Sequence, residues 1–224
     1  MEKSQNQKIE MVFPNGIELY ITREDLLHPI ISGNKFRKLK YNLEEAKKLG
    51  FKKILTFGGA FSNHIVAVAG AGVAFGFETI GVIRGEELID KVQENPSLAF
   101  AQQNGMRFHF VDRTTYRDKS DKKFVESLHD LYGDFYLIPE GGTNQLAIKG
   151  CEEILTTKDK STFDFVCCAM GTGGTISGII NSANATQEII GFSSLKGGFL
   201  SDVIRNFVQK ENWNINCEYH FGGY

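Results

Sequence analysis

The sequence has 224 residues, 42% of them hydrophobic and 23% charged, with a formal net charge of −2. That length is enough to bury a sizeable core, and the near-neutral balance offers no electrostatic reason to bind nucleic acid or an anionic membrane surface. No run approaches the roughly 20 apolar residues that cross a bilayer, and the first ten residues lack a signal-peptide core, so a cytoplasmic chain is expected. Cys151, Cys167, Cys168 and Cys217 show neither CxxC spacing nor a disulfide framework. Cys167 and Cys168 lie in an apolar run and read as small core hydrophobes. The 24 glycines cluster at element junctions, where a backbone can approach a ligand closely.

In chain order, the first chemical signal is Ser32-Gly33-Asn34-Lys35-Phe36-Arg37-Lys38-Leu39. Asn34 reads as an N-cap with Lys35 opening a helix over 35–49, and Phe36, Leu39, Leu43, Ala46 and Leu49 recur at helical spacing before Gly50. The positive end of the helix dipole disfavours a lysine cation there. That favours the neutral amine a Schiff base requires. Lys38 shares a face with Lys35 and could meet an anionic group on the same ligand. A solvated basic first turn fits the same residues, and the local pattern leaves both readings open.

A strand at 53–57 leads into Gly58-Gly59-Ala60-Phe61-Ser62-Asn63-His64 and a helix at 62–75. Ser62 or Asn63 fits a helix cap, and both also fit a polar turn beside a ligand. His64 projects about 100° away from Ser62 on a helix, which argues against a Ser–His pair and leaves His64 a structural or supporting residue. Further strands are expected at 79–83, 107–111, 135–138 and 164–169, with helices at 91–104, 119–131 and 145–156. Arg84-Gly85-Glu86 reads as a salt-bridged turn. His109 falls within a strand, packed or at an edge, and His28, His109, His129 and His220 lack metal-ligand spacing, so no metal is expected.

Gly171-Thr172-Gly173-Gly174-Thr175 follows the strand that ends at Met170 and opens a helix near Ile176. Consecutive N–H groups at a helix start form a phosphate cradle, although this is neither a P-loop nor GxGxxG. Strand–helix alternation implies an α/β fold with a mainly parallel sheet, covered on both faces and binding ligands beyond the carboxyl ends of its strands. Segments 188–192 and 217–224 read as final strands. Nothing follows Gly222-Gly223-Tyr224 to cover them, and a fragment of a longer protein is expected.

The three motifs in this order resemble the 1-aminocyclopropane-1-carboxylate (ACC) deaminase and D-cysteine desulfhydrase family, which belongs to the fold-type II pyridoxal 5′-phosphate (PLP) enzymes with the tryptophan synthase β-chain. GNKxRKL and GGxxSNH carry the specificity of the likeness, which spans about Leu19 to Tyr224. It implies a two-domain α/β fold: a larger PLP-binding domain of 1–40 and 142–224, and a smaller one of 41–141. It implies PLP as cofactor, Lys35 as the Schiff-base lysine and Asn63 facing the ring 3′-oxygen. Ser62 is then beside the substrate, Gly171, Thr172, Gly173, Gly174 and Thr175 form the phosphate loop, and Lys38 is a further phosphate contact. Tyr219-His220-Phe221-Gly222-Gly223-Tyr224 is similar to the family's YHxGxY segment, which implies Tyr224 in the active site. Ile138 to Asn144 resembles the return to the larger domain, a hinge.

The implied substrate is a small amino acid and the implied assembly a homodimer. The favoured reaction is D-cysteine desulfhydration to pyruvate, sulfide and ammonia, and the alternative is ACC deamination to 2-oxobutyrate and ammonia. A non-catalytic, truncated paralogue that binds PLP or an amino acid is the reading from another class. Family chains continue past this point with a second active-site tyrosine and the residue facing the pyridine nitrogen, and neither is present here.

Overall fold

A computed structural model describes residues 4–220, whose strands form three sheets. The first is an antiparallel hairpin of β1 (Asn6–Lys8) and β2 (Tyr20–Thr22). The polar, wholly exposed Asn-Gln-Lys of β1 carries no alternation that would mark a strand in sequence. The second sheet is parallel, in the order β5 (Arg107–Val111), β4 (Glu78–Arg84), β3 (Lys53–Gly58) and β6 (Tyr136–Ile138). The third, also parallel, runs β7 (Phe165–Met170), β8 (Glu188–Ser193) and β9 (Trp213–Asn216).

Nine α-helices occur among the described residues: α1 (Asn34–Lys48), α2 (Asn63–Phe75), α3 (Pro96–Gln103), α4 (Arg113–Arg117), α5 (Lys122–Tyr132), α6 (Gln145–Cys151), α7 (Thr157–Thr162), α8 (Gly174–Ser182) and α9 (Leu200–Arg205). Several expected boundaries change for local reasons. The helix expected over 91–104 is a 3-10 segment, Glu86–Glu94, followed by α3, because Pro96 holds Asn95 extended. The Asn95 side chain then accepts from the Ser97 and Leu98 amides. The helix expected over 119–131 is α5, which starts three residues later because Asp121 caps it, and the short α4 before it, capped by Asp112, lies outside the expected helices. The 145–156 helix stops at Cys151, and Thr156 with Asp159 forms the capping box that starts α7. The last strand is β9 rather than 217–224; residues 217–220 lie outside any strand, and 221–224 are outside the described residues.

Both faces of the second sheet are covered, as expected. Ile54, Ile83 and Ile138 pack with buried residues of α1, α2 and α3, while Leu55, Phe57, Ile80 and Val82 pack with Tyr116, Leu128 and Tyr132. The third sheet is covered on one face only. Met170, Ile189, Ile176, Ile180 and Ile204 form a core, but Phe165, Cys167 and Ala169 on the other side of β7 are exposed. Cys167 is therefore not a core residue: strand alternation turns it outward and leaves only Cys168 facing the helices.

Helix α6 lies between α1 and α8. At Gly150 a Cβ would collide with the Arg37 carbonyl oxygen, so α1 and α6 meet backbone to backbone. This close approach brings the first turn of α1 and the start of α8 to the same end of the stack.

Candidate active site

The first turn of α1 sorts its cations by face. Arg37 donates from Nε and Nη2 to Glu24 at 2.8 and 3.0 Å and from Nη1 to Glu153 at 3.3 Å. Lys40 reaches both Glu153 oxygens at 2.7 and 2.8 Å, and Tyr41 donates to the same carboxylate. Lys35 and Lys38 point the other way and join no ion pair among the described residues. Lys38 is only 2% exposed. Its Nζ donates to Gly141 O at 2.9 Å, Thr143 Oγ1 at 3.0 Å and Thr172 Oγ1 at 3.3 Å. Lys35 Nζ donates to the same Gly141 oxygen at 3.3 Å.

Burial sets the ionisation of both amines. It pushes Lys35 down to about 7, helped by the neighbouring Lys38 charge, and it pushes Lys38 below its ordinary range. An ammonium taken out of water without a counterion costs several kcal/mol even after relaxation. Three neutral oxygens offset that only in part for Lys38.

The receiving geometry comes from the other end of the stack. β7 delivers the chain at Met170, Gly173 serves as N-cap of α8, and Gly174 begins the helix. A Cβ on Gly174 would lie 2.8 Å from Thr143 Oγ1 and 3.2 Å from Lys38 Nζ, so the absent side chain leaves the helix start open to the lysine. Thr172 and Thr143 hydroxyls are 2.7 Å apart. Thr175 Oγ1 accepts from Asn34 Nδ2 at 2.7 Å, which ties the two helix starts together. This corrects the expected role of Asn34: Gly33 occupies the cap position, and Asn34 is already helical, with its side chain spanning to α8.

The loop after β3 supplies the third wall. Ser62 is the N-cap of α2, its Oγ accepting from the Ile65 amide at 3.3 Å, and Asn63 is exposed in the first turn. His64 is buried, with Nε2 2.8 Å from Thr56 Oγ1, and the Thr56 hydroxyl donates to Ile138 O at 2.8 Å. Burial first, then the charges of Lys35 and Lys38, hold the imidazole well below its ordinary pKa and hence neutral. Arg84 forms no salt bridge among the described residues; its guanidinium lies over the Tyr116 ring at 5.7 Å, while the Tyr116 hydroxyl donates to Glu140 at 2.7 Å.

The structure thus brings together Lys35, Lys38, Thr172, Gly173, Gly174 and, through Asn34, Thr175. Ser62 and Asn63 sit at the start of the adjoining helix and form no hydrogen bond with either lysine among the described residues. Tyr224 lies outside the described residues. Sequence reasoning missed the Gly141 carbonyl, Thr143 and Thr56. Thr143 had a signal, a hydroxyl following Gly-Gly and preceding the Asn144 cap of α6; Thr56, inside an apolar strand, had none.

A family profile described as pyridoxal-phosphate dependent enzyme matches residues 12–197. A Thermotoga maritima protein named putative 1-aminocyclopropane-1-carboxylate deaminase is 35% identical over 172 residues, covering 73% of this chain and 53% of that protein. An Arabidopsis thaliana protein named bifunctional D-cysteine desulfhydrase/1-aminocyclopropane-1-carboxylate deaminase, mitochondrial, is 31% identical over 182 residues, covering 74% of this chain and 45% of its own length. The chain spans about half the length of these curated relatives. A crystal structure of an ACC deaminase homologue superposes with a TM-score of 0.79 at 24% identity, covering 100% of this chain and 73% of that one. The fold is accordingly that of the fold-type II enzymes.

Proposed function

The chain belongs to the pyridoxal-phosphate dependent enzyme family, in the branch of the ACC deaminases and D-cysteine desulfhydrases, and from that premise we propose a deaminating lyase of small amino acids. D-Cysteine, giving pyruvate, sulfide and ammonia, is the favoured substrate. ACC, giving 2-oxobutyrate and ammonia, is the second, favoured by the name of the Thermotoga relative. The proposal includes a homodimer acting in the cytoplasm and a division into 1–40 with 142–224 and 41–141, for which the separate second and third sheets speak.

The observation that carries it is the buried Lys38, without a carboxylate partner, at the glycine-opened start of α8, beside the half-buried Lys35 on the same helix face. That pair fits PLP in kind: one amine titrating near 7 for a covalent link, and a second amine with a helix N-terminus for a phosphate. In this reading Lys35 carries the cofactor through Nζ, while Lys38, Gly171, Thr172, Gly173, Gly174 and Thr175 hold its phosphate. Asn63 faces the ring oxygen. Ser62 uses Oγ as an acceptor for the helix, which leaves its hydroxyl proton available to a substrate carboxylate. Bound PLP supplies the electron sink that makes the substrate's α-carbon labile. With D-cysteine, a free Lys35 Nζ would take the α-proton and pass it to the departing sulfur. ACC has no α-proton and would use the amine to protonate the carbon freed by ring opening; an amine titrating near 7 suits both roles. Tyr224 completes the proposed site from outside the described residues.

Borohydride reduction of the PLP-treated chain, followed by peptide mapping, tests the assignment. Pyridoxyl label is expected on Lys35 and lost in Lys35→Ala; equal labelling of that variant would overturn it. Assays of sulfide with D-cysteine and of 2-oxobutyrate with ACC separate the two substrates. Label on Lys35 with neither product would identify a non-catalytic binder instead.

A further inference from the structure

His64 Nδ1 is a fully buried side-chain nitrogen with no hydrogen-bond partner among the described residues. Its state follows from proton counting. Thr56 has one hydroxyl proton and gives it to Ile138 O, so at the 2.8 Å contact the histidine must donate from Nε2. Nδ1 therefore carries a lone pair, and a buried acceptor left without a donor is costly.

The ring lies against the turn that both lysines grip. A Cβ on Gly142 would be 3.0 Å from His64 Cε1 and 3.3 Å from Nδ1, and the neighbouring Gly141 oxygen receives Lys35 and Lys38. The two amines differ in how well they are satisfied. Lys38 has three acceptors for three protons. Lys35 has one, at 3.3 Å. One under-satisfied donor and one orphaned acceptor thus border the same turn. Among charged groups, Lys35 acts on the imidazole more strongly than Lys38 does.

We propose that His64 is a positioning residue for Lys35: the free amine, which in this structure reaches only Gly141 O, also swings by side-chain rotation to donate to His64 Nδ1, so that it is held between the ring and the Gly141 carbonyl. Thr56 is part of the device, because it fixes the tautomer that keeps Nδ1 an acceptor. The amine is thereby returned to one place after each release instead of sampling its rotamers.

This rests on Lys35 being the cofactor lysine, but the test reads the amine itself. Ionisation of Lys35 is measured on the full chain without added cofactor, by the pH dependence of trace acetylation quantified by mass spectrometry. The groups that face it are Lys38 on its own helix, Cys151 from α6 and His64 from α2, and all but His64 stay unchanged. His64→Leu is expected to lower the Lys35 pKa by ~1 unit, a tenfold change in protonation ratio. His64→Asn, whose amide oxygen replaces Nδ1, should stay near the parent value. Thr56→Val, which alters neither partner, should lower it by a smaller amount, because the freed ring then also populates the tautomer with a proton on Nδ1. A role in packing alone predicts no shift in Thr56→Val and equal shifts in the two His64 variants; either result overturns the proposal. Failure of the cofactor assignment is read separately, as absence of borohydride label on Lys35.

Discussion

Helix α1 holds two i,i+3 pairs of cations, and its two sides treat them differently. Arg37 and Lys40 meet carboxylates from two other segments, Glu24 and Glu153. Lys35 and Lys38, about 200° round the helix by its pitch, meet only neutral oxygens and lose water. Hydrogen bonds donated to Glu24 raise the guanidinium pKa of Arg37, and for Lys40 the contacts with Glu153 and Tyr41 more than offset the effect of burial. Burial works against Lys35 and Lys38 with no carboxylate to oppose it. One side is a structural clamp with its charge balanced inside the protein. The other meets no carboxylate among the described residues, which is what the proposed phosphate site requires and a solvated basic turn does not.

The contrast can be broken from either side. Lys38→Met should weaken PLP binding by ~10–100-fold, the scale of one charge-assisted contact to phosphate, while leaving the unliganded fold no less stable, because an unpaired buried cation has been removed. Absorbance titration with PLP and urea denaturation measure the two halves. Arg37→Met should do the reverse: the Glu24 carboxylate, 12% exposed, loses its bidentate partner, and stability should fall by about 2 kcal/mol in urea denaturation, below the full cost of a deeply buried pair. The Lys35 amine should titrate as before.

A third effect is a pH slope. Lys35 titrates at 10.5 when free and at about 7 in the fold, so between those values the unfolded chain binds a proton that the folded chain has released. Unfolding free energy must then rise with pH across that window. Lys35→Met should flatten the rise by up to ~1.4 kcal/mol per pH unit, measured by urea denaturation between pH 7 and 10. An unchanged slope would mean that the amine is not held neutral by the fold.

Much of the architecture is legible because periodicity reports burial. The strands β3, β4, β5 and β8 fall within a residue or so of their apolar runs, since each is short and mostly or partly buried. Misreadings occur where a local signal has two physical uses. Asn34 has the chemistry of a cap, yet its amide spans 141 residues to Thr175. The helical periodicity over 91–104 hides a break that Pro96 imposes. Cys167 sits in an apolar run, but one face of β7 is open.

The site divides along the same line. Sequence alone nominated the lysines of α1, the glycine loop before α8 and the polar turn before α2, because amines, glycine clusters and caps are local chemistry at element boundaries. Tertiary structure decided which cations of α1 are neutralised, that Gly141 O receives both amines, and that His64 turns an unfilled lone pair toward that turn. None of these is encoded in spacing. Each depends on how far a carboxylate, a carbonyl or a proton lies from its partner after α1, α6 and α8 have packed, and desolvation in that packed state moves Lys35 from an ordinary cation to an amine poised near neutrality.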